Sequence, residues 1–310
     1  MFRFLPMGCV LLMLSVATVF GADTSEVVLQ AGDLQARLST ADGQVQSVSV
    51  RGNELLAGPG SLSVQVDKEE PAPMSPKWER FSVKEEGEAW VVTGREPESG
   101  IEVKAVWRGG RDIECRVTLV QPGPERLEAA VELSLPCPAQ SLVWMAPSGS
   151  EPSTVDFSQR KGMGFRGDVG GLVMPAVFLY QPEKDWGLTM LADFALPTRG
   201  FEVWADTDPA RIVARRVHLR LEPGKPVDVA LILVGHAGDW RPGLGHVVER
   251  YPEYFRVADS RIPELHGPFV CSGGAPDDTT LDRWKAQHVQ TVEVHGTLPF
   301  YGQHLPLGES

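Results

Sequence analysis

Residues 127–136 read Leu-Glu-Ala-Ala-Val-Glu-Leu-Ser-Leu-Pro. Leu127, Ala129, Val131, Leu133 and Leu135 fall at every second position and face away from Glu128, Glu132 and Ser134. Side chains of a strand point alternately to its two faces, so this period predicts one dry face and one wet face. The same reading extends outward in both directions. Leu34, Ala36 and Leu38 alternate with Gln35 and Arg37, and Leu62, Val64 and Val66 with Ser63 and Gln65. Ile101, Val103, Ala105 and Trp107 oppose Glu102, Lys104 and Arg108, while Val217, Leu219 and Leu221 oppose His218, Arg220 and Glu222. Residues 229–234 are apolar throughout and suit a strand buried on both sides. Alternation repeated this often predicts a mainly β protein whose large antiparallel β-sandwich covers residues 23–237.

Composition agrees with a folded, turn-rich chain. The 310 residues include 32 Gly and 25 Pro, and the hydrophobic share of 42% is enough for a sizeable core. A formal net charge of -12 at pH 7 argues against nucleic-acid partners and anionic membrane surfaces, because both reward clustered Lys and Arg. At the N-terminus, Arg3 precedes an apolar run over residues 10–20 that ends at the small residues Gly21 and Ala22. This is the pattern of a secretory signal peptide over residues 1–22, which makes the expected location secreted or periplasmic. A lipid-anchored reading through Cys9 is weaker, because the apolar run follows that cysteine. No membrane contact is expected once the leader is removed.

Three cysteines follow the leader, Cys115, Cys137 and Cys271, so at least one stays unpaired within a monomer. Cys115 alternates with Ile113, Val117 and Leu119 and reads as a core residue. If residues 111–121 fold back on 126–136 through Pro122-Gly123-Pro124, Cys115 lies opposite about residue 132 and out of bonding reach of Cys137. Residues 147–171 break the alternation with Gly, Ser and charge and predict a long loop crossing the sandwich. Asp206 and Asp208 read as turn formers, calcium ligation being the alternative. The residues call for no metal and no cofactor: no CxxC pair, HExxH helix, P-loop or nucleophile elbow is present.

The pattern changes at Asp239. Leu244, Val247, Val248 and Tyr251 fall at helical spacing with Asp239 as N-cap, and Pro252 ends or kinks the helix. Residues 238–265 thus form a helical linker. Beyond it, a short strand over 269–271, a helix opened by Thr279 with Leu281 and Trp284, and a strand over 290–296 read as the start of a βαβ series. About 45 residues cannot close a barrel, so residues 266–310 are expected to be the truncated start of a larger domain.

Two features point to chemistry. Eight Trp residues offer faces for sugar stacking, although Trp107 and Trp284 sit at core positions and Trp90, Trp186 and Trp204 are not placed by pattern. On the last strand, Val292 and Val294 share one face and Glu293 and His295 the other. A polar pair near the C-terminal end of such a strand lies where α/β barrels bind substrate, the alternative being a structural hydrogen bond.

Several stretches carry a resemblance. Met174-Pro175-Ala176-Val177-Phe178-Leu179-Tyr180, Asp185-Trp186-Gly187-Leu188-Thr189, Gly238-Asp239-Trp240-Arg241 and Tyr251-Pro252-Glu253-Tyr254-Phe255 resemble secreted bacterial glycoside hydrolases. These carry an N-terminal galactose-mutarotase-like supersandwich ahead of a (β/α)₈ catalytic barrel. In that comparison residues 293–302 look like the first barrel strand and its loop, so the resemblance implies a carbohydrate substrate met by Glu293, His295 and Tyr301. It places the catalytic carboxylates on later strands, beyond Ser310, and so implies that this chain alone is inactive. The sandwich lacks the His-x-Tyr-Phe-Asn pattern of a true aldose mutarotase. A non-catalytic carbohydrate-binding or surface-assembly module is the alternative. The leader makes the first test: N-terminal sequencing of exported protein should find the mature chain starting near Ala22 or Asp23, and a chain that keeps Arg3 would contradict it.

Overall fold

The computed structural model describes residues 26–66, 79–137, 142–145, 153–154, 161–164, 172, 174–207, 210–256, 269–272, 276–289 and 291–294. The chain divides into two compact units, one ending at Val247 and one beginning at Val248. The first unit opens with β1 (Glu26–Ala31), β2 (Leu34–Ser39), β3 (Val45–Val50), β4 (Asn53–Glu54) and β5 (Ser61–Val66). Next come β6 (Glu79–Glu86), β7 (Ala89–Arg95), β8 (Glu102–Arg108), β9 (Ile113–Val120), β10 (Leu127–Leu135) and β11 (Val143–Met145). Two short strands, β12 (Ser153–Thr154) and β13 (Lys161–Gly164), precede β14 (Ala176–Gln181), a 3-10 turn at Pro182–Lys184 and β15 (Trp186–Ala192). The sheets finish with β16 (Phe201–Thr207), β17 (Ala210–Leu221) and β18 (Pro226–His236), and helix α1 (Trp240–Arg250) follows.

These strands make a four-stranded meander β1-β2-β3-β4, a five-stranded sheet β13-β16-β17-β10-β5 and a nine-stranded sheet β12-β11-β14-β15-β18-β9-β8-β7-β6. Among the described residues every strand pairing within them is antiparallel. One continuous core lies against all three sheets. Leu34, Ala36, Leu38 and Val48 come from the meander, Leu133, Phe201 and Ile212 from the five-stranded sheet, and Trp107, Val117 and Leu188 from the nine-stranded sheet. The alternating residues of the sequence are the ones buried here, each full burial of a large aliphatic contributing roughly 1.5–3 kcal/mol.

Three expectations need correction. Residues 111–121 and 126–136 do not form a hairpin, because β9 belongs to the nine-stranded sheet and β10 to the five-stranded one. The chain turns a sandwich corner there, held by a bridge from Gln121 to Pro223 and by Gln121 Nε2 donating to Glu125 O at 3.2 Å. Changing sheets lets the apolar faces of β9 and β10 meet across the core instead of lying side by side. Secondly, Ser63, Glu132 and Ser134 are buried rather than wet, so β10 is covered on both faces. Thirdly, residues 147–171 contain strands as well as loop: β12 pairs with β11 and β13 with β16. Backbone pairing at a sheet edge needs no apolar alternation, so this Gly-rich segment shows no strand period.

Helix α1 starts after Asp239, whose Oδ1 accepts from Arg241 N at 2.9 Å. Its buried stripe is Gly243 and Val247, whereas Leu244 is half-buried and Val248 exposed. The contact line is set by the glycine, since only a residue without a side chain lets the helix backbone approach the sheet closely. In the second unit, α2 (Pro252–Phe255) starts at the expected proline, and Tyr251 meets Tyr254 edge to face at 6.3 Å. Further on, β19 (Phe269–Ser272), α3 (Asp278–Ala286) and β20 (Thr291–Val294) form a βαβ unit whose strands pair in parallel. Asp277 rather than Thr279 caps α3, accepting from Thr280 N at 2.7 Å, and hydrogen bonds from the Thr280 side chain and then its backbone hold the carboxyl below the usual range. Trp284 forms the buried side of α3.

Cys115 and Cys137 are both free and buried. Burial pushes the Cys137 thiol up to about 12, and it raises Cys115 as well, aided by the Glu114 carboxylate. Since the thiolate is the reactive form, neither should react with a disulfide reagent at pH 8 in the folded protein. Peptide mapping after labelling should show both modified only in denaturant, and native labelling of either would contradict the core placement.

Candidate functional site

Glu293 lies in β20, opposite Cys271 of β19 in the parallel register and one residue before the strand's C-terminal end. Ligands of α/β units commonly gather outside the C-terminal ends of parallel strands, and Glu293 lies next to that end of β20. His295 and Tyr301 lie outside the described residues. The structure thus brings Glu293 beside Cys271 by register and leaves the other two unplaced.

The sandwich narrows the choice of sugar-facing aromatics. Trp107, Trp144, Trp186 and Trp204 are all buried, and Trp90 packs against the core from a half-buried position. They act as core side chains, contrary to a stacking role. Trp240 is half-buried, with the Arg241 guanidinium 5.1 Å from its ring centre.

A cavity of about 50 Å³ opens where the β14–β15 hairpin meets the meander. Leu55, Leu142, Leu179 and Trp186 line it, with Gln181 and Lys184 as polar neighbours. Glu54 also borders it, but its Oε1 already accepts from Val48 N at 3.1 Å and Leu56 N at 3.0 Å. Benzene occupies an engineered cavity of about 150 Å³, so this space holds a few waters and no hexose.

A second feature was not legible from alternation. Across the outer face of the five-stranded sheet, Glu202 lies opposite Arg215, Arg215 opposite Glu132, and Glu132 opposite Ser63. Directly opposed residues share a face about 5 Å apart, so negative, positive and negative groups alternate over three strands. Glu132 is 2% exposed and Arg215 6%, so this row is a buried band of opposed charges rather than an open binding surface. Next to Arg215, Arg216 is buried as well and donates to Pro197 O at 2.6 Å and to Arg199 O. Burial lowers the Arg216 guanidinium to about 10. Asp206 pairs with Arg211 within the β16–β17 ladder, which ends at Thr207 and Ala210, and Asp208 lies outside the described residues.

The third feature is the seam beneath α1. Its floor is Phe178 of β14, Gly187 and Thr189 of β15 and His236 of β18, all on the outer face of the nine-stranded sheet. A Cβ on Gly243 would lie 2.1 Å from Thr189 Oγ1 and 2.8 Å from His236 Nε2, and one on Gly187 would lie 2.1 Å from His236 Cε1. Thr189 Oγ1 and His236 Nε2 are 3.1 Å apart, and His236 Nδ1 is 3.1 Å from Ala237 O. Farther along α1, His246 Nε2 donates to Asp112 Oδ2 at 2.9 Å, with both side chains largely buried. Burial holds His236 below the usual histidine range, opposed by the Ala237 carbonyl and Asp239 and assisted by His246.

No protein-family profile matches the chain, and no curated protein sequence matches it. Solved structures similar to it include a TPR-domain containing protein from Parabacteroides distasonis, at 17% identity and TM-score 0.48, covering 68% of this chain and 47% of that one. A galactose mutarotase related enzyme from Lactobacillus acidophilus is similar at 9% identity and TM-score 0.48, over 69% of this chain and 98% of that one. A GH36 alpha-galactosidase from Geobacillus stearothermophilus is similar at 13% identity and TM-score 0.49, over 80% of this chain and 45% of that one. The chain therefore spans under half the length of the first and third of these proteins.

Gly243 gives the seam a direct test. Gly243→Ala gains helix propensity worth about 1 kcal/mol, yet its methyl would strike Thr189 and His236. We expect net destabilisation of about 1–3 kcal/mol by denaturant titration, as for other overpacked sites. A variant as stable as the wild type would show that α1 does not press on the sheet.

Proposed function

We propose that this chain is a carbohydrate-directed protein: a galactose-mutarotase-like sandwich serving as the N-terminal part of a secreted glycoside hydrolase that acts on poly- or oligosaccharides. The observation that carries the reading is the change of strand polarity along the chain. The sheets of the first unit pair antiparallel, whereas β19 and β20 pair in parallel through the α3 crossover. Sandwich, helix and βαβ unit follow one another in the order the sequence resemblance implies, and the leader-like residues 1–22 support export. The small cavity and the buried polar band favour a supporting role for the sandwich, with sugar contact at the C-terminal edge of β20. There Glu293 accepts from a sugar hydroxyl, His295 donates to one, and Tyr301 adds contact from the loop that follows.

Affinity electrophoresis through neutral, acidic and amino-sugar polysaccharides, with reducing-end assays on the same panel, tests this reading. Saturable retardation or turnover by at least one of them is expected. In the natural-length exported protein, His295→Ala should weaken binding or kcat/KM by about 10- to 1000-fold, the ~1–4 kcal/mol of lost sugar contacts, with Tm unchanged. Absence of both retardation and turnover across the panel would overturn the carbohydrate reading. A His295→Ala protein that retains full activity would move the site away from β20.

A further inference from the structure

Helix α1 cannot hold itself together. It is 11 residues long and contains Gly243 and Gly245, each costing about 1 kcal/mol relative to alanine, and isolated helices of this length are marginal in water. Its order therefore derives from docking on the sheet, and the seam that docks it is built around an imidazole. We propose that α1 is a proton-released clasp: its docking on the nine-stranded sheet requires neutral His236, and acidification frees the helix while the sheets stay folded.

The hydrogen bonds define the required form. His236 Nδ1–H donates to Ala237 O, which leaves Nε2 to accept from the Thr189 hydroxyl. A second proton would sit on Nε2, facing a fully buried Thr189 that must then turn its own proton away. Gly243 closes the remaining side. Phe178 and Gly187, the other neighbours, bring no charge to balance a cation. The charged groups facing the site from α1 and its approach are His246 and Asp239. Asp239 favours the cation, but it already pairs with Arg241; His246 opposes it. Asp112, just before β9, is engaged by His246 Nε2 at 2.9 Å.

The direction follows from linkage. Burial holds docked His236 below its ordinary value, while a released helix leaves the ring in water at about 6.5. The released state binds a proton that the docked state refuses. Docking is therefore complete above about pH 6.5 and weakens as pH falls, by at most about tenfold per pH unit until the docked ring itself protonates. This inference is independent of the sugar reading and survives its failure.

Hydrogen exchange of the intact chain, corrected for intrinsic rates, tests it at pH 7.5 and 5.5. Amides of residues 244–247 should lose up to about tenfold protection at the lower pH, with β9 and β18 unchanged. Unchanged protection in α1, or equal loss in the strands, overturns the proposal. His236→Gln, which cannot titrate, should abolish the response, whereas His246→Gln should keep it; loss of the response in His246→Gln would assign the switch to the Asp112 pair instead. If His236→Gln fails to fold, imidazole carbon NMR of the wild type decides. Charging of His236 in step with α1 opening supports the clasp, and charging without opening overturns it.

Discussion

The structure depends on one constraint: its central strands must find cover for both of their faces. In β10 all but the first two side chains are buried, β18 is buried without interruption over residues 229–234, and β14 and β15 show no exposed position at all. A sandwich covers only the inner face of each sheet. The outer face of β14, β15 and β18 is met by α1, with Phe178 and Val247 completely buried there. The outer face of β10 and β17 carries its own solution in the opposed charges of Glu202, Arg215 and Glu132, since buried ionised groups persist where opposite charge and hydrogen bonds meet them.

Close approach follows from this demand, and it explains where glycine and histidine fall. Gly187 and Gly243 leave room on two sides of the His236 ring, and a methyl group on either would overlap it. A ring so enclosed gains packing and a threonine partner but loses the water that would solvate its charge. The same enclosure that makes the helix fit makes the fit sensitive to protons. Arg216 shows the complementary case, a cation kept inside by backbone carbonyls and lowered to about 10 by burial.

The sandwich and the βαβ unit divide the chemical possibilities between them. The tryptophans that seemed available for sugar stacking are spent on the core, and the cavity beside Trp186 is smaller than a hexose requires. In the βαβ unit the C-terminal ends of β19 and β20 lie side by side, with Ser272 opposite Val294.

The sequence by itself determined the strands, their inward residues and the change of character after residue 238. Leu34, Val103, Cys115 and Leu133 could be read as core because strand geometry is local: a period of two is visible without knowing any neighbour. The parallel βαβ unit was legible for the same reason, from caps, turns and two short apolar runs. Only the tertiary structure decided which strands are neighbours. It separated β9 from β10, added β13 to the edge of β16, buried Glu132 and Ser134, and chose Gly243 over Leu244 as the contact line of α1. Each of these depends on what lies across a sheet or beneath a helix. No residue's own pattern records that, because the covering element comes from a distant part of the chain.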